Sequence, residues 1–256
     1  PGNLHRAMPN FISKMWMRDA QGGITAALFG PGVLKTTVGL DQTPITLTAQ
    51  TRYPYQQSVE FTFQPARPVA FAFSARVPAW CTRPSLSVNG KKAEVVLHPG
   101  CFFTLERLWQ PGDQIRLELP FELALEHWPD GGVSLTYGPL TLALPVPARA
   151  EIESVNSTTL QRQQTLGADY EPLPAVVKAD FPAWNLYPAG PWNFALCVDD
   201  ASLSGLQVVW NDACPDPLDA SNPILKVRLK ARRVHGWRIV HTRRVRQFGH
   251  WSEAGK

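Results

Sequence analysis

Turn residues interrupt this chain so often that little besides short strands fits between them. Twenty-four prolines and 18 glycines are spread along 256 residues, and a proline inside a helix costs ~3 kcal/mol. After Gly22-Gly23 the segments between turns are short and rich in β-branched and aromatic residues. That pattern describes strands joined by tight reversals. The spacing predicts strands over 24–29, 33–38, 45–51, 58–64, 69–77, 86–88, 93–97, 102–108 and 114–119. Asn89-Gly90 suits a two-residue hairpin, and Pro99-Gly100 and Pro111-Gly112-Asp113 suit tight turns, with Asp113 capping its own. Short strands at this interval, apolar on alternate positions, make an antiparallel sandwich. At 44% hydrophobic and 18% charged, the chain has enough apolar material for cores.

One stretch departs from period two. Residues 3–18 place Leu4, Met8, Phe11, Ile12, Met15 and Trp16 at helical spacing. This predicts one amphipathic helix, kinked at Pro9 or starting near it. Beyond the first sandwich, 133–142 reads as two buried strands around a bend, 148–182 as a long polar loop, and strands resume over 192–198, 206–210 and 224–231. Charge is divided unevenly. Residues 226–256 hold ten Lys/Arg against Glu253, a net of +9, whereas the first 225 residues net −5. The residues from 241 on read as a basic, disordered tail.

Four cysteines, Cys81, Cys101, Cys197 and Cys214, are too far apart for a Cys-x-x-Cys metal site or a dense disulfide framework. They read as free, mostly buried thiols in a reducing compartment, and with no targeting segment legible near Pro1 the expected location is cytoplasmic. No run approaches the ~20 apolar residues of a membrane span. A phosphate-binding glycine loop, a Gly-x-Ser-x-Gly elbow and a His-Glu-x-x-His helix are all missing from the sequence.

Three stretches, in order, resemble the part of the β-L-arabinofuranosidase-like glycoside hydrolases that follows their catalytic barrel. The first runs through Arg76-Val77-Pro78-Ala79-Trp80-Cys81, Ser87-Val88-Asn89-Gly90 and Arg107-Leu108-Trp109-Gln110-Pro111-Gly112-Asp113. The second is Tyr137-Gly138-Pro139-Leu140, with Tyr137 in place of the family's basic residue; the third is Pro191-Trp192-Asn193-Phe194-Ala195-Leu196. At the start, Pro1-Gly2-Asn3-Leu4-His5-Arg6 is similar to the continuation of the family's Cys-Cys-Pro-x-Asn-x-x-Arg motif, so that Asn3 and Arg6 are motif remnants.

The resemblance implies a mainly β chain. A helix remnant of an (α/α)6 barrel (1–32) precedes two antiparallel β-sandwich-like domains (33–130 and 131–240) and the tail (241–256). It also implies a non-catalytic role. The family's zinc-bound cysteine nucleophile, acid/base glutamate and metal ligands would all precede Pro1, leaving zinc to the full-length family and no cofactor to this chain. The expected partners are a plant-type glycan substrate or the catalytic barrel itself, with self-association through residues 4–16.

The residues themselves show no carboxylate pair placed for retaining hydrolysis. Glu151 and Glu153 read as solvated, and Asp199-Asp200 as a turn. His127 beside Trp128, with Asp130 nearby, is the one suggestive cluster. Nine tryptophans are present. Trp80 and Trp109 alternate inward as core, whereas Trp128, Trp184, Trp192 and Trp210 are candidate platforms for stacking sugar rings. The alternative to a hydrolase part is thus a stand-alone carbohydrate-binding β-module. Polyanion or nucleic-acid binding through alternating Lys226, Arg228, Lys230 and Arg232 is a lesser alternative.

Overall fold

The computed structural model describes residues 2–129, 131–152, 184–214, 216 and 221–236, and of residues 2–5, 152, 184 and 185 the backbone alone. Expectations for Asp130, Glu153, the rest of the polar loop (153–182) and the tail lie outside the described residues. The chain divides into two compact units, Pro1–Leu142 and Ala143–Lys256.

The first unit opens with helix α1 (Gly2–Ser13), which runs through Pro9. It ends five residues short of the predicted span. The N–H groups of Lys14 and Met15 bond back three residues to Phe11 and Ile12, tightening the last turn. Trp16–Arg18 is then strand β1, paired with β2 (Ile24–Ala26). Met15 and Trp16 fit the helical stripe, but burial decides otherwise: Trp16 meets the Phe61 ring edge-on at 5.9 Å.

A four-stranded sheet has the order β1-β2-β6-β9, with β6 at Val69–Arg76 and β9 at Phe102–Trp109. A six-stranded sheet comprises β3 (Gly32–Val38), β4 (Thr43–Gln50), β5 (Ser58–Pro65), β10 (Gln114–Glu118), β7 (Ser85–Val88) and β8 (Lys91–Lys92), in that spatial order. One pairing departs from the antiparallel expectation. β2 and β6 run parallel, because the chain crosses to the other sheet between them.

Alternation puts Val69, Phe71, Phe73 and Ala75 of β6 inside, facing Phe61 and Phe63 of β5 and Ile115 and Leu117 of β10. Phe63 stacks on Trp109 of the opposite sheet with centroids 4.1 Å apart, and meets Phe73 edge-on at 5.0 Å. These rings join the two layers into one β-sandwich-like core. Residues 93–97, expected as a strand, keep the alternation and pack Ala93, Val95 and Leu97 against the core, but they have no ladder partner.

A three-stranded sheet completes this unit: β11 (Leu123–His127), β12 (Val133–Tyr137) and β13 (Leu140–Thr141). β12 and β13 are the predicted strands around a bend. β11 is new, hidden in sequence by its polar Glu126 and His127.

In the second unit β14 (Ala148–Ile152) corrects the start of the expected loop, since it pairs along its length with β15 (Trp184–Pro188). β16 (Phe194–Leu196) pairs with β19 (Ala231–Arg233), and β17 (Val208–Trp210) with β18 (Leu225–Val227). The described strands here form three two-stranded antiparallel sheets.

Candidate functional site

The residues of the Val-Asn-Gly and Arg-x-Trp-x-x-Gly-Asp stretches meet at one end of the sandwich. Asn89 and Gly90 both hold positive φ, +51° and +75°, as a type I′ turn between β7 and β8 requires. Asn89 Nδ2 donates to Asp113 Oδ1 at 2.7 Å, and its Oδ1 accepts from the Gln114 N–H at 2.8 Å. Asp113 Oδ2 accepts from the Gln110 N–H at 2.9 Å and lies 3.4 Å from the Arg107 guanidinium. Arg107 and Trp109 share a side of β9, so the guanidinium also sits over the indole, 5.0 Å from its centroid. Trp109 is fully buried, and its Nε1 donates to the Phe71 carbonyl at 3.0 Å. Every polar group in this cluster is engaged with another part of the scaffold.

Trp80 and Tyr137 each meet Phe121 edge-on, at 5.2 and 5.6 Å. Gly138, with φ +57°, follows: a Cβ there would lie 2.6 Å from the Phe121 ring, so only glycine fits against it. Next to this stack, Glu122 accepts from Thr82 Oγ1 at 2.7 Å and from Arg83 Nε at 2.9 Å. Those two donors hold its carboxyl below the ordinary glutamate value, which favours an anion and disfavours a proton donor. Sequence reasoning missed this trio, because only the fold brings Glu122 beside Thr82 and Arg83. Adjacent Cys81 is buried, and burial, reinforced by the Glu122 charge, pushes its thiol up toward the neutral form.

The predicted site residues fall in several places. His127 ends β11 opposite Val133, and Trp128 follows it at the tip of the β11–β12 hairpin, with half its surface exposed and Nε1 bonded to Ser134 Oγ at 2.9 Å. Trp184 lies on β15, Trp192 precedes β16 half-buried, and Trp210 lies half-buried on β17. Trp184 and Trp210 therefore belong to two separate small sheets, and Trp192 lies just before a third. Arg6 is exposed on α1, and Asn3 lies in its first turn. Glu151 is exposed and ion-paired with Arg149 at 2.8 Å, and Asp199 closes a turn by accepting from the Ser202 N–H at 2.8 Å. The exposure of Glu151 and the turn at Asp199 are as expected from the sequence.

Zinc, which the resemblance attaches to the full-length family, finds no ligand set among the described residues: no three His, Cys, Asp or Glu side chains converge there as ligands. The four cysteines are free; Cys81 and Cys214 are buried, while Cys101 and Cys197 are exposed, so half of the thiols depart from the expected burial. No described helix is long and apolar enough to cross a membrane.

Residues 23–121 match the family model described as "Beta-L-arabinofuranosidase, GH127 middle domain". No curated protein matches the chain. Among solved structures, one described as "Glycoside hydrolase" superposes with a TM-score of 0.50 at 25% identity, covering 55% of this chain and 24% of that one. A GH127 β-L-arabinofuranosidase from Geobacillus stearothermophilus T6 superposes with a TM-score of 0.50 at 20% identity, covering 73% of this chain and 33% of that one, a likeness of fold. The chain spans a third or less of each of these two structures. Residues 23–121 are thus similar to the middle domain of the GH127 β-L-arabinofuranosidases, a glycoside hydrolase-like β-domain.

Proposed function

We propose that this chain is the non-catalytic β-portion of a glycoside hydrolase acting on arabinofuranose-containing plant glycans, and that it works by bracing a helical catalytic domain. The observation that carries this reading is where the family match falls. Inside it, Asn89, Arg107 and Asp113 bind one another instead of facing an open cleft. Retaining hydrolysis needs a nucleophile and a proton shuttle ~5 Å apart, whereas Cys81 is buried with a raised pKa and Glu122 is held as an anion by Thr82 and Arg83. The exposed Met8 and Ile12 of α1 are the surface on which this reading places the catalytic domain, or failing that a second copy of the chain.

The test is an assay of the purified chain, with and without added zinc, on a chromogenic β-L-arabinofuranoside. No turnover is expected. Turnover abolished by one Cys→Ser substitution would sink the reading.

A second reading, a carbohydrate-binding module, is favoured by one observation. Trp128 presents half of its surface while Ser134 fixes the indole, and a pinned, exposed ring loses little entropy when a sugar stacks on it. Here arabinan oligosaccharides would shift tryptophan emission, and Trp128→Ala would remove the shift. Unchanged emission at millimolar sugar counts against this module.

A further inference from the structure

Burial alternates residue by residue near the end of the second unit. Leu225, Val227 and Leu229 are half-buried, and Lys226, Arg228 and Lys230 between them are exposed. This is the signature of an extended chain with one side on the protein and one in water. β18 forms its first part, the Lys230 carbonyl accepts from the Cys197 N–H at 2.9 Å, and exposed Arg232 on β19 keeps the same parity. Same-side residues of an extended chain are about 6.5–7 Å apart, which sets the spacing of neighbouring cations along the row of Lys226, Arg228 and Lys230, with Arg232 next on β19.

Among the described residues, those facing the row carry no charge. Val209 stands across from Lys226, and Ala195 across from Arg232. None of the four takes part in an ion pair among the described residues. Arg233, of the other parity, instead donates to Asn193 Oδ1 at 3.3 Å. Charges spaced this way lie within the ~8 Å Debye length of physiological salt and repel one another. A ligand bringing negative charges at intervals along an extended backbone relieves that repulsion.

We propose that Lys226, Arg228, Lys230 and Arg232 bind an acidic polysaccharide, a chain of uronate-bearing sugars laid along β18 and β19. The inference rests on the glycan-directed reading above and narrows it to an acidic glycan. Single-stranded nucleic acid would want aromatic platforms between the cations, and the facing residues Val209 and Ala195 are aliphatic. A polyuronate needs only the charges.

The experiment uses the full chain and three probes: polygalacturonate, neutral arabinan and single-stranded DNA, at about 50 mM and about 200 mM salt. The test variant carries Lys226→Gln, Arg228→Gln, Lys230→Gln and Arg232→Gln. A charge-matched control carries Lys14→Gln, Lys35→Gln, Lys91→Gln and Lys92→Gln, all exposed positions in the first unit. Circular dichroism and melting show that both variants fold. The proposal expects polygalacturonate to bind more tightly than DNA or arabinan, to weaken at the higher salt, and to lose at least tenfold in affinity in the test variant but less than threefold in the control. Equal loss in both variants, retained binding in the test variant, or tighter binding of DNA overturns it. Preference for arabinan removes the role of the row but leaves the hydrolase reading standing, whereas turnover of an arabinofuranoside by the chain alone removes that reading without touching the row.

Discussion

Asn89 and Asp113, 24 positions apart, are joined by a 2.7 Å hydrogen bond that ties the β7–β8 hairpin to the β9–β10 turn. Each residue serves its own turn at the same time: Asn89 supplies the positive φ, and Asp113 accepts from the Gln110 N–H. The bond therefore fixes two reversals relative to each other with one pair of side chains. Asp113 is almost fully buried, so losing its partner leaves a poorly satisfied carboxylate in place.

This relationship predicts an order of effects at position 89. Asn89→Gly keeps the backbone conformation and loses the side-chain bonds, and should cost about 1 kcal/mol. Asn89→Ala also forces a Cβ into the left-handed region and should cost about 2–3 kcal/mol. Urea denaturation of both variants checks this. An alanine variant as stable as the glycine one would show that the positive φ is not what position 89 provides.

The N-terminal apolar stripe yields a second contrast. Met15 is buried, with its side chain lying over Gly30 beside Phe11, and its carbonyl accepts from the Ala27 N–H at 2.9 Å. Met8 and Ile12 on the same stripe are more than half exposed. Met15→Ala should therefore cost about 2–4 kcal/mol, while Met8→Ser with Ile12→Ser should cost less than about 1 kcal/mol in this chain. Thermal melts decide it, and equal losses would mean that the whole stripe is packed.

How far the sequence carries depends on what each signal measures. Period two located β3 to β6, β9 and β10 to within one or two residues, because a half-buried strand must alternate whatever its partner is. The same signal marked 93–97, where alternation is real and pairing is not. Extended backbone was legible there, and a ladder was not. Hydrophobic spacing overran α1 because Met15 and Trp16 are apolar in a helix or in a strand, and pairing with Ala26 and contact with Phe61 made the choice. Trp109 and Asp113 were legible as core and turn cap. The Glu122, Thr82 and Arg83 trio was not, since about 40 positions separate the donors from the acceptor.

The thiols provide a third test. Cys101 and Cys197 are exposed, whereas Cys81 is buried with a raised pKa and Cys214 donates to the Asp216 and Asn222 carbonyls at 3.1 Å each. A thiol-reactive chromophore should label two groups quickly in the folded protein and all four after denaturation. Cys101→Ser with Cys197→Ser should remove the fast phase entirely. Fast labelling that persists in that variant contradicts the burial of Cys81 or Cys214.

The last prediction concerns acid. Thr82 and Arg83 hold the Glu122 carboxyl below its ordinary value of 4.5, so the folded state releases this proton more readily than the unfolded chain does. A depressed carboxylate contributes its stability in full above the unfolded value and loses it as pH falls through the folded one. Both side chains face water, so screening keeps the contribution below about 1 kcal/mol. Glu122→Gln should accordingly be slightly less stable than the parent at pH 7, and the gap should close as pH drops below 4.5. Thr82→Val, which removes the first donor and leaves the charge, should fall between the two. Urea midpoints measured from neutral pH down to about pH 3 distinguish this from a packing effect: a packing loss at position 122 gives the same gap at every pH, and only a charge held by Thr82 and Arg83 gives one that vanishes in acid.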